Sequence, residues 1–158
     1  MRKFIISIDA GTTSNRSILF DLKGNPVFSS QKEFTQYFPK SGWVEHDPDE
    51  IWRTTVKTLK DVIQKAKKLR GKILNIGITN QRETTVLWDK RTGKPVYNAI
   101  VWQDRRQEEF CVKLRKQNKD TMIFNKTGLL IDSYFSGTKI KWILDNVQKE
   151  KKLMNINQ

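Results

Sequence analysis

An octapeptide near the N-terminus combines residue types that bind phosphate. It reads Asp9-Ala10-Gly11-Thr12-Thr13-Ser14-Asn15-Arg16 and lies between two apolar segments. A glycine lets backbone N–H groups approach an anion, hydroxyls donate to phosphate oxygens, and a carboxylate at a strand end can hold hydrated Mg²⁺. Arg16 is spaced to reach back to the same place. The composition also suits a plain hairpin turn, so the octapeptide alone leaves both interpretations open.

A second group of polar residues follows a β-branched segment in the middle of the chain. Asn80, Gln81, Arg82 and Glu83 come directly after Ile73–Thr79. Open α/β sheets bind ligands at the ends of parallel strands, and an arginine beside a glutamate places a rigid donor fork next to an acceptor pair. That combination suits neighbouring hydroxyls of a polyol. An ion pair that stabilises a turn is the alternative.

Two aromatic residues have comparable settings. Trp102 stands in Val101-Trp102-Gln103-Asp104, and Tyr134 comes just before a predicted helix. A flat ring can flank a carbon chain, but packing in a core is the alternative at both positions. His46 and Cys111 have no second histidine or thiol close in sequence, so structural roles are expected for both rather than metal binding.

These residues need strands and helices to position them, and the spacing of apolar residues predicts both. The N-terminal part predicts a three-stranded antiparallel meander. Its strands are expected at Phe4–Ile8, Ser17–Phe20 and Val27–Ser30. Asp47 and Pro48 predict the start of a helix, and Gly71 predicts its end. The apolar stripe of this helix is expected to comprise Trp52, Val56, Leu59, Ile63 and Ala66.

The remaining pattern predicts more strands and two further helices. Strands are expected at Ile73–Thr79 (buried), Thr84–Trp88 and Tyr97–Trp102, with a turn at Lys90–Lys94. Helices are expected from Asp104 to about Asn118, and from Ser136 with Ile140, Ile143, Leu144 and Val147 on one face. The order strand, strand, strand, helix, strand predicts the opening of a ribonuclease-H-like α/β fold. Because no later segment predicts its remaining parallel strands, the fold is expected to be incomplete.

Composition narrows the class of protein. The 158 residues fit one domain, and no apolar run approaches the roughly 20 residues that cross a bilayer. Thirty Lys+Arg against 17 Asp+Glu give a net charge of +13, which would suit nucleic acid. The 21 lysines are spread along the chain, however, so no specific nucleic-acid partner is expected. One cysteine and the lack of a signal-peptide core predict a cytoplasmic location.

Five segments together resemble the N-terminal part of the glycerol kinases, which belong to the FGGY carbohydrate kinase family. They are residues 9–16, 42–48, 76–85, 93–103 and 134–139. The similarity extends over residues 1–147, and residues 148–158 are expected to form a polar tail. The sequence departs from the family at Ala10, where glycerol kinases more often carry glutamine.

The resemblance implies an actin-like ATPase fold and transfer of the γ-phosphoryl group of ATP to glycerol, which forms sn-glycerol 3-phosphate. Asp9 would orient Mg²⁺ through its waters. The phosphates would be contacted by Gly11, Thr12, Thr13, Ser14 and Arg16. Glycerol would be held by Arg82, Glu83, Trp102 and Tyr134. The resemblance also implies homo-oligomers for full-length members.

Members of that family are much longer than this chain, so residues 1–147 are expected to be a truncated kinase domain. The resemblance places the general-base aspartate and the adenine-binding domain outside these residues. We therefore expect an N-terminal region of a kinase that is inactive by itself. A non-catalytic remnant, or a binding module with weak phosphate or polyol contacts, is the alternative.

Overall fold

The computed structural model describes residues 1–147 and divides the chain into two compact units. The first unit comprises Met1–Gln36 and Asp47–Gln81, and the second comprises Tyr37–His46 and, among the described residues, 82–147. The elements are β1 (Arg2–Ala10), β2 (Ser14–Asp21), β3 (Pro26–Glu33), β4 (Glu45–His46), α1 (Pro48–Lys68), β5 (Gly71–Thr79), β6 (Ala99–Ile100), α2 (Glu108–Lys116), α3 (Asp120–Thr127) and α4 (Ser136–Asn146). No helix within residues 1–147 is both long enough and apolar enough to span a bilayer. The predicted polar tail at 148–158 lies outside the described residues.

The first unit is built on a four-stranded sheet in the order β3-β2-β1-β5. Strands β1, β2 and β3 form an antiparallel meander, and β5 runs parallel to β1. The predicted meander is therefore confirmed, and each strand extends beyond its apolar segment. Alternation along β1 buries Phe4, Ile6 and Ile8 in the core. The strand then delivers Asp9 to the end of the sheet, opposite Arg16 of β2.

Helix α1 completes the core of the first unit. Asp47 caps it as predicted, because its Oδ1 atom accepts a hydrogen bond from the Asp49 amide at 2.9 Å. The predicted stripe was wrong at its first member, since Trp52 is 67% exposed. The fully buried face includes Val62, and it includes Thr58, which a search for apolar residues overlooks.

A threonine is tolerated in that core because its hydroxyl is satisfied. Thr58 Oγ1 lies 2.9 Å from Ser17 Oγ of β2, and Thr58 also donates to the carbonyl of Thr55 at 3.0 Å. Both residues are fully buried. A hydrogen-bonded pair of hydroxyls avoids most of the cost of burying each one alone. The pair therefore fixes the rotation of α1 against β2.

The end of α1 differs from the prediction in one respect. Gly71 is the first residue of β5, and the left-handed backbone that follows the helix is at Arg70, with φ 50°. A glycine is needed at position 71 for a different reason. A Cβ atom there would lie 2.1 Å from Cε2 of Phe4 in the neighbouring strand β1. Only glycine therefore lets β5 approach β1 this closely.

Strand β5 lies at the edge of the sheet. It was predicted to be buried, and this is wrong, because Ile76 is half exposed and Ile78 is 73% exposed. Among residues 1–147 the strand pairs only with β1, so its other edge and much of its apolar side chain surface face solvent. An exposed apolar edge of this kind favours association with another strand.

The second unit contains little regular β-structure. Strands β4 and β6 form a two-residue antiparallel ladder, so the predicted strand Tyr97–Trp102 is reduced to Ala99–Ile100. The predicted strand Thr84–Trp88 is wrong, because only single bridges join Thr85 to Ile100 and Trp88 to Pro95. The predicted turn is confirmed, since the Gly93 amide donates to the Asp89 carbonyl at 2.7 Å.

The helices of the second unit begin and pack differently from the prediction. Helix α2 starts at Glu108 rather than at Asp104. Helix α3 was not predicted, and it has no buried residue whose spacing would have indicated it. Helix α4 begins at Ser136 as predicted, but it buries Lys139 and Ile143 rather than a purely apolar face.

Asp104 has another role, in a buried ionic cluster. Its Oδ2 atom accepts from the Val44 amide at 2.7 Å and from Arg106 Nη2 at 2.8 Å. The same Nη2 atom donates to Glu45 at 2.7 Å, and all three side chains are almost fully buried. The guanidinium also stacks 3.9 Å from the ring centroid of Trp43. This cluster, rather than a ladder of strands, ties the loops of the second unit together.

Candidate functional site

The predicted phosphate-binding residues lie in and beside a tight turn between β1 and β2. This phosphate set comprises Gly11, Thr12, Thr13, Ser14 and Arg16. The Gly11 amide donates to the Ser14 carbonyl at 3.0 Å, which closes the turn. A Cβ atom at position 11 would lie 2.8 Å from that same carbonyl oxygen. Glycine is therefore required by close backbone approach. Thr12 and Ser14 are partly exposed and Thr13 is exposed, so these residues border solvent.

Asp9 and Arg16 flank the turn and face each other across the two strands. Arg16 Nη2 lies 3.1 Å from Asp9 Oδ2, with side chains 46% and 41% exposed. An ion pair this exposed contributes little to stability. Its charges remain accessible to an anion or a cation from solvent, which fits the predicted chemistry.

The turn is held from behind by residues that sequence reasoning did not select. Asn15 is fully buried, and its Nδ2 atom donates to the Ile51 carbonyl at 3.0 Å and to Thr54 Oγ1 at 2.7 Å. Gln31 Nε2 donates to Ser14 Oγ at 2.9 Å. These bonds connect the turn to α1 and β3. A buried asparagine inside a polar turn gives no periodic signal, so the sequence alone could not assign this role.

Glu83 lies at the N-terminus of α4. It belongs to the predicted polyol set, which comprises Arg82, Glu83, Trp102 and Tyr134. Its Oε2 atom accepts from both the amide and the hydroxyl of Ser136, each at 2.8 Å. A carboxylate at this position satisfies an orphan donor and interacts favourably with the helix dipole. The backbone of Glu83 is left-handed, with φ 61°, which costs on the order of 1–2 kcal/mol for a residue with a Cβ atom. The bonds to Ser136 hold it there.

The other three residues of the polyol set also belong to the second unit. Tyr134 comes two residues before Ser136, and its ring lies 6.1 Å from that of Trp102 in an edge-to-face arrangement. Arg82 precedes Glu83, and its side chain is exposed. Within residues 1–147, Arg82 and the Tyr134 hydroxyl have no hydrogen-bond partner, and Glu83 Oε1 accepts no hydrogen bond. All four residues of the polyol set therefore lie in the second unit, whereas the phosphate set belongs wholly to the first unit.

The segment that presents Tyr134 is clamped by side chains along its length. Arg115 donates to the Ile131 carbonyl at 2.7 Å, and Arg105 donates to Asp132 and Ser133 at 3.1 and 3.2 Å. Asp132 Oδ1 in turn accepts from the Tyr134 amide at 2.7 Å. The position of the ring is therefore set by several long-range contacts rather than by a regular element.

Lys139 is a further residue of this region that sequence reasoning did not select. It is only 1% exposed, and its ammonium donates to the Tyr134 carbonyl. Burial lowers its pKa to about 8, although Glu83, Asp104 and Asp132 act in the opposite direction. Its sequence signal was present but ambiguous, because a lysine in the middle of a helix is usually a solvated residue.

Cys111 and His46 were predicted to have structural roles. Within residues 1–147 no group of three or more histidine, cysteine or acidic side chains could hold a metal ion. Cys111 is buried in α2, and burial together with the Glu108 charge raises the pKa of its thiol. Asp9 remains the carboxylate that is predicted to serve an ion bound with phosphate.

Comparison with known proteins identifies the family to which the chain belongs. Residues 4–157 match the family model described as the FGGY family of carbohydrate kinases, N-terminal domain. Over 148 residues the chain is 60% identical to the glycerol kinase of Petrotoga mobilis, a match that covers 94% of this chain and 30% of that protein. It is 62% identical over 146 residues to the glycerol kinase of Malacoplasma penetrans, which covers 92% and 29%. The chain thus spans about 30% of the length of these curated relatives.

Solved structures show the same fold. The crystal structure of Plasmodium falciparum glycerol kinase with ADP superposes with a TM-score of 0.88 at 39% identity, covering 96% of this chain and 30% of that one. The gluconate kinase from Lactobacillus acidophilus superposes with a TM-score of 0.84 at 27% identity, covering 95% and 30%. The predicted ribonuclease-H-like, actin-like ATPase fold is therefore confirmed for the part that this chain represents. The chain belongs to the FGGY family of carbohydrate kinases and matches the N-terminal domain of that family.

Proposed function

We propose that this chain supplies phosphate-binding and glycerol-binding residues of a glycerol kinase, which phosphorylates glycerol with ATP to give sn-glycerol 3-phosphate. The relatives at about 60% identity bear that name. The observation that carries the proposal is that the second unit contains the whole polyol set, with polar groups that remain available. Arg82, Tyr134 and Glu83 Oε1 offer polar groups that no other residue in 1–147 engages by a hydrogen bond.

Each residue of the polyol set is proposed to contact glycerol. The guanidinium of Arg82 donates to hydroxyl oxygens, and Glu83 Oε1 accepts from a hydroxyl. The rings of Trp102 and Tyr134 offer apolar surface to the carbon backbone. Because Glu83 Oε2 is fixed by Ser136, the orientation of Oε1 is set before the substrate arrives. Such preorganisation reduces the entropy lost on binding.

The turn between β1 and β2 is proposed to hold the phosphates of ATP. Arg16 supplies a cation, and Gly11, Thr12, Thr13 and Ser14 supply hydroxyls and backbone N–H groups. The rigid anchoring of the turn through Asn15 keeps these donors in place. Phosphoryl transfer depends mainly on positioning and on charge stabilisation, which is what such a turn contributes.

Mg²⁺ fits Asp9 by its donor chemistry. The ion is usually held by one or two carboxylates, phosphate oxygens and water, so a single accessible carboxylate is sufficient. Only Oδ2 of Asp9 is paired with Arg16, and the side chain is 41% exposed. When bound, the ion would neutralise charge that develops on the transferred phosphoryl group.

We place the protein in the cytoplasm, which its single cysteine supports.

The proposal is tested with a chimera in which residues 1–147 replace the matching part of the Petrotoga mobilis relative. We expect ATP-dependent formation of glycerol 3-phosphate. Arg82→Ala should raise the KM for glycerol about 10- to 100-fold, the equivalent of one or two charged hydrogen bonds, while the KM for ATP stays nearly constant. Arg91→Ala is the matched control, because Arg91 is an exposed arginine of the same unit. An unchanged glycerol KM in the Arg82 variant would remove that residue from the site.

A further inference from the structure

The side chain of Lys139 occupies an unusual position for a lysine. It is 1% exposed, and it is the one lysine among residues 1–147 that is buried. Within residues 1–147 no carboxylate lies within ion-pair distance of its ammonium, and its hydrogen bond goes to the backbone carbonyl of Tyr134. A buried ammonium without a paired carboxylate costs stability, and a methionine of similar length would avoid that cost. The position therefore calls for a role other than packing.

The contacts of Lys139 point to that role. The ammonium bonds to Tyr134 and lies 5.9 Å from the centroid of its ring. Three residues earlier on α4, Ser136 is bonded to Glu83. Residues of α4 therefore form hydrogen bonds both to Tyr134 and to Glu83, two members of the polyol set. A charged donor binds a carbonyl more strongly than a neutral one does, so protonation of Lys139 tightens this arrangement.

We propose that Lys139 is a positioning residue for polyol binding, whose protonated side chain fixes Tyr134 beside Glu83. The inference rests on the proposed function for the identity of the ligand. The charged groups that act on the ammonium are Glu83, Asp104 and Asp132, which favour its charge, and Arg105, which opposes it. The thiol of Cys111 on α2 also interacts with it. Loss of the proton weakens the bond to the Tyr134 carbonyl and lowers affinity for glycerol.

The test uses the full 158-residue chain and needs no catalytic activity. NMR follows the side-chain resonances of Lys139, the carbonyl carbon of Tyr134 and the amide of Ser136 as the pH rises. We expect all three to titrate together with a midpoint near the pKa of about 8. Glycerol is then titrated at about pH 7 and about pH 9.5, and its Kd should rise about fivefold, which corresponds to roughly one hydrogen bond.

Three variants sharpen the test. Lys139→Met should abolish the pH dependence, and Lys139→Arg should keep the pH 7 affinity at the higher pH, because an arginine remains charged. Lys141→Met is the matched control, since Lys141 lies on the exposed side of the same helix and pairs with Asp145. It should behave like the unmodified chain. If Lys139→Arg does not fold, the titration of the unmodified chain decides the question alone.

The outcomes separate the two proposals. A Tyr134 carbonyl resonance and a glycerol Kd that both stay constant while Lys139 loses its proton would overturn the positioning role. If Lys139 keeps its proton up to pH 9.5, the variants decide at pH 7, and an unchanged glycerol Kd in Lys139→Met would overturn the positioning role. If Tyr134 responds to Lys139 but no saturable glycerol binding occurs at either pH, the link between the two residues is supported and the proposed glycerol site is contradicted.

Discussion

Two arginine–carboxylate pairs, one in each unit, have similar distances and opposite surroundings. Arg16 lies 3.1 Å from Asp9 in the first unit, with both side chains about half exposed. Arg106 lies 2.7 Å from Glu45 in the second unit, with both side chains almost fully buried. The exposed pair is positioned by the register of β1 against β2. The buried pair itself positions the loops around it.

The difference shows how each unit keeps its predicted site residues in place. In the first unit a regular sheet carries the phosphate set, so the charged residues are available for a ligand. In the second unit, buried hydrogen bonds and ion pairs hold the loops together, as strand pairing holds the first unit together. Residues of the polyol set are therefore also structural, as Glu83 shows at the N-terminus of α4. We propose neither arginine pair as the base that takes a proton from a glycerol hydroxyl.

The largest expected effect follows from that last point. The 158-residue polypeptide by itself should show no measurable ATP-dependent formation of glycerol 3-phosphate, unlike the chimera. General-base assistance is typically worth about 10² to 10⁴ in rate, and the chain spans only about 30% of its relatives' length. The assay is run beside the same polypeptide carrying Asp9→Ala. Turnover that this substitution abolishes would show that the 158-residue polypeptide suffices for catalysis and that Asp9 takes part in it.

The next effect tests the contrast between the pairs directly. Arg106→Met should lower the free energy of unfolding by about 3–5 kcal/mol, because it leaves the carboxylates of Glu45 and Asp104 buried without their cation. Arg16→Met should change it by less than about 1 kcal/mol, since its pair is exposed. Urea unfolding is followed by tryptophan fluorescence, to which Trp43 beside Arg106 contributes. Equal losses in the two variants would refute the contrast.

Sequence reasoning succeeded where structure follows from local pattern. The meander, the start of α1 at Asp47 and the family itself could all be predicted, because strand alternation, a helix cap and long motifs are local signals. It failed where contacts between residues distant in sequence determine the structure. Asp104 was expected to cap a helix, but its carboxylate belongs to the buried cluster with Arg106.

The same limit applies to the candidate sites. Residue types and motifs selected Asp9, Glu83 and Tyr134, and these remain predicted site residues. They did not select the residues that hold them, because Asn15 and Lys139 act through contacts that only the folded chain creates. The exposure of β5 was missed for a related reason. A β-branched segment predicts a strand, but its neighbours determine whether both edges and both faces are covered.

A smaller effect is expected at the phosphate turn. Gly11→Ala should cost about 1–3 kcal/mol of stability, because the new Cβ atom would meet the Ser14 carbonyl oxygen at 2.8 Å. It should also weaken ATP binding in the chimera. Gly77→Ala is the matched control in the same unit, since no atom lies within 4 Å of its Cβ position. Thermal unfolding of both variants measures the difference, and equal stability would contradict the tight turn.

The smallest expected effect concerns pH and the second unit. Burial holds the pKa of Lys139 at about 8 in the folded chain, against 10.5 as its ordinary value. Between these two pH values the unfolded chain keeps the proton that the folded chain has lost, so the free energy of unfolding rises with pH. The contribution is unfavourable below about pH 8 and is relieved as the pH increases toward 10.5.

Lys139→Met isolates this contribution, because it removes the titrating group while other groups titrate as before. The stability of the unmodified chain minus that of the variant should increase by on the order of 1 kcal/mol between about pH 7.5 and pH 9.5. Urea unfolding at a series of pH values measures it. A difference that is flat or falls with pH would show that Lys139 keeps its proton in the folded chain. The buried ammonium would then be as permanent a part of the second unit as the guanidinium of Arg106.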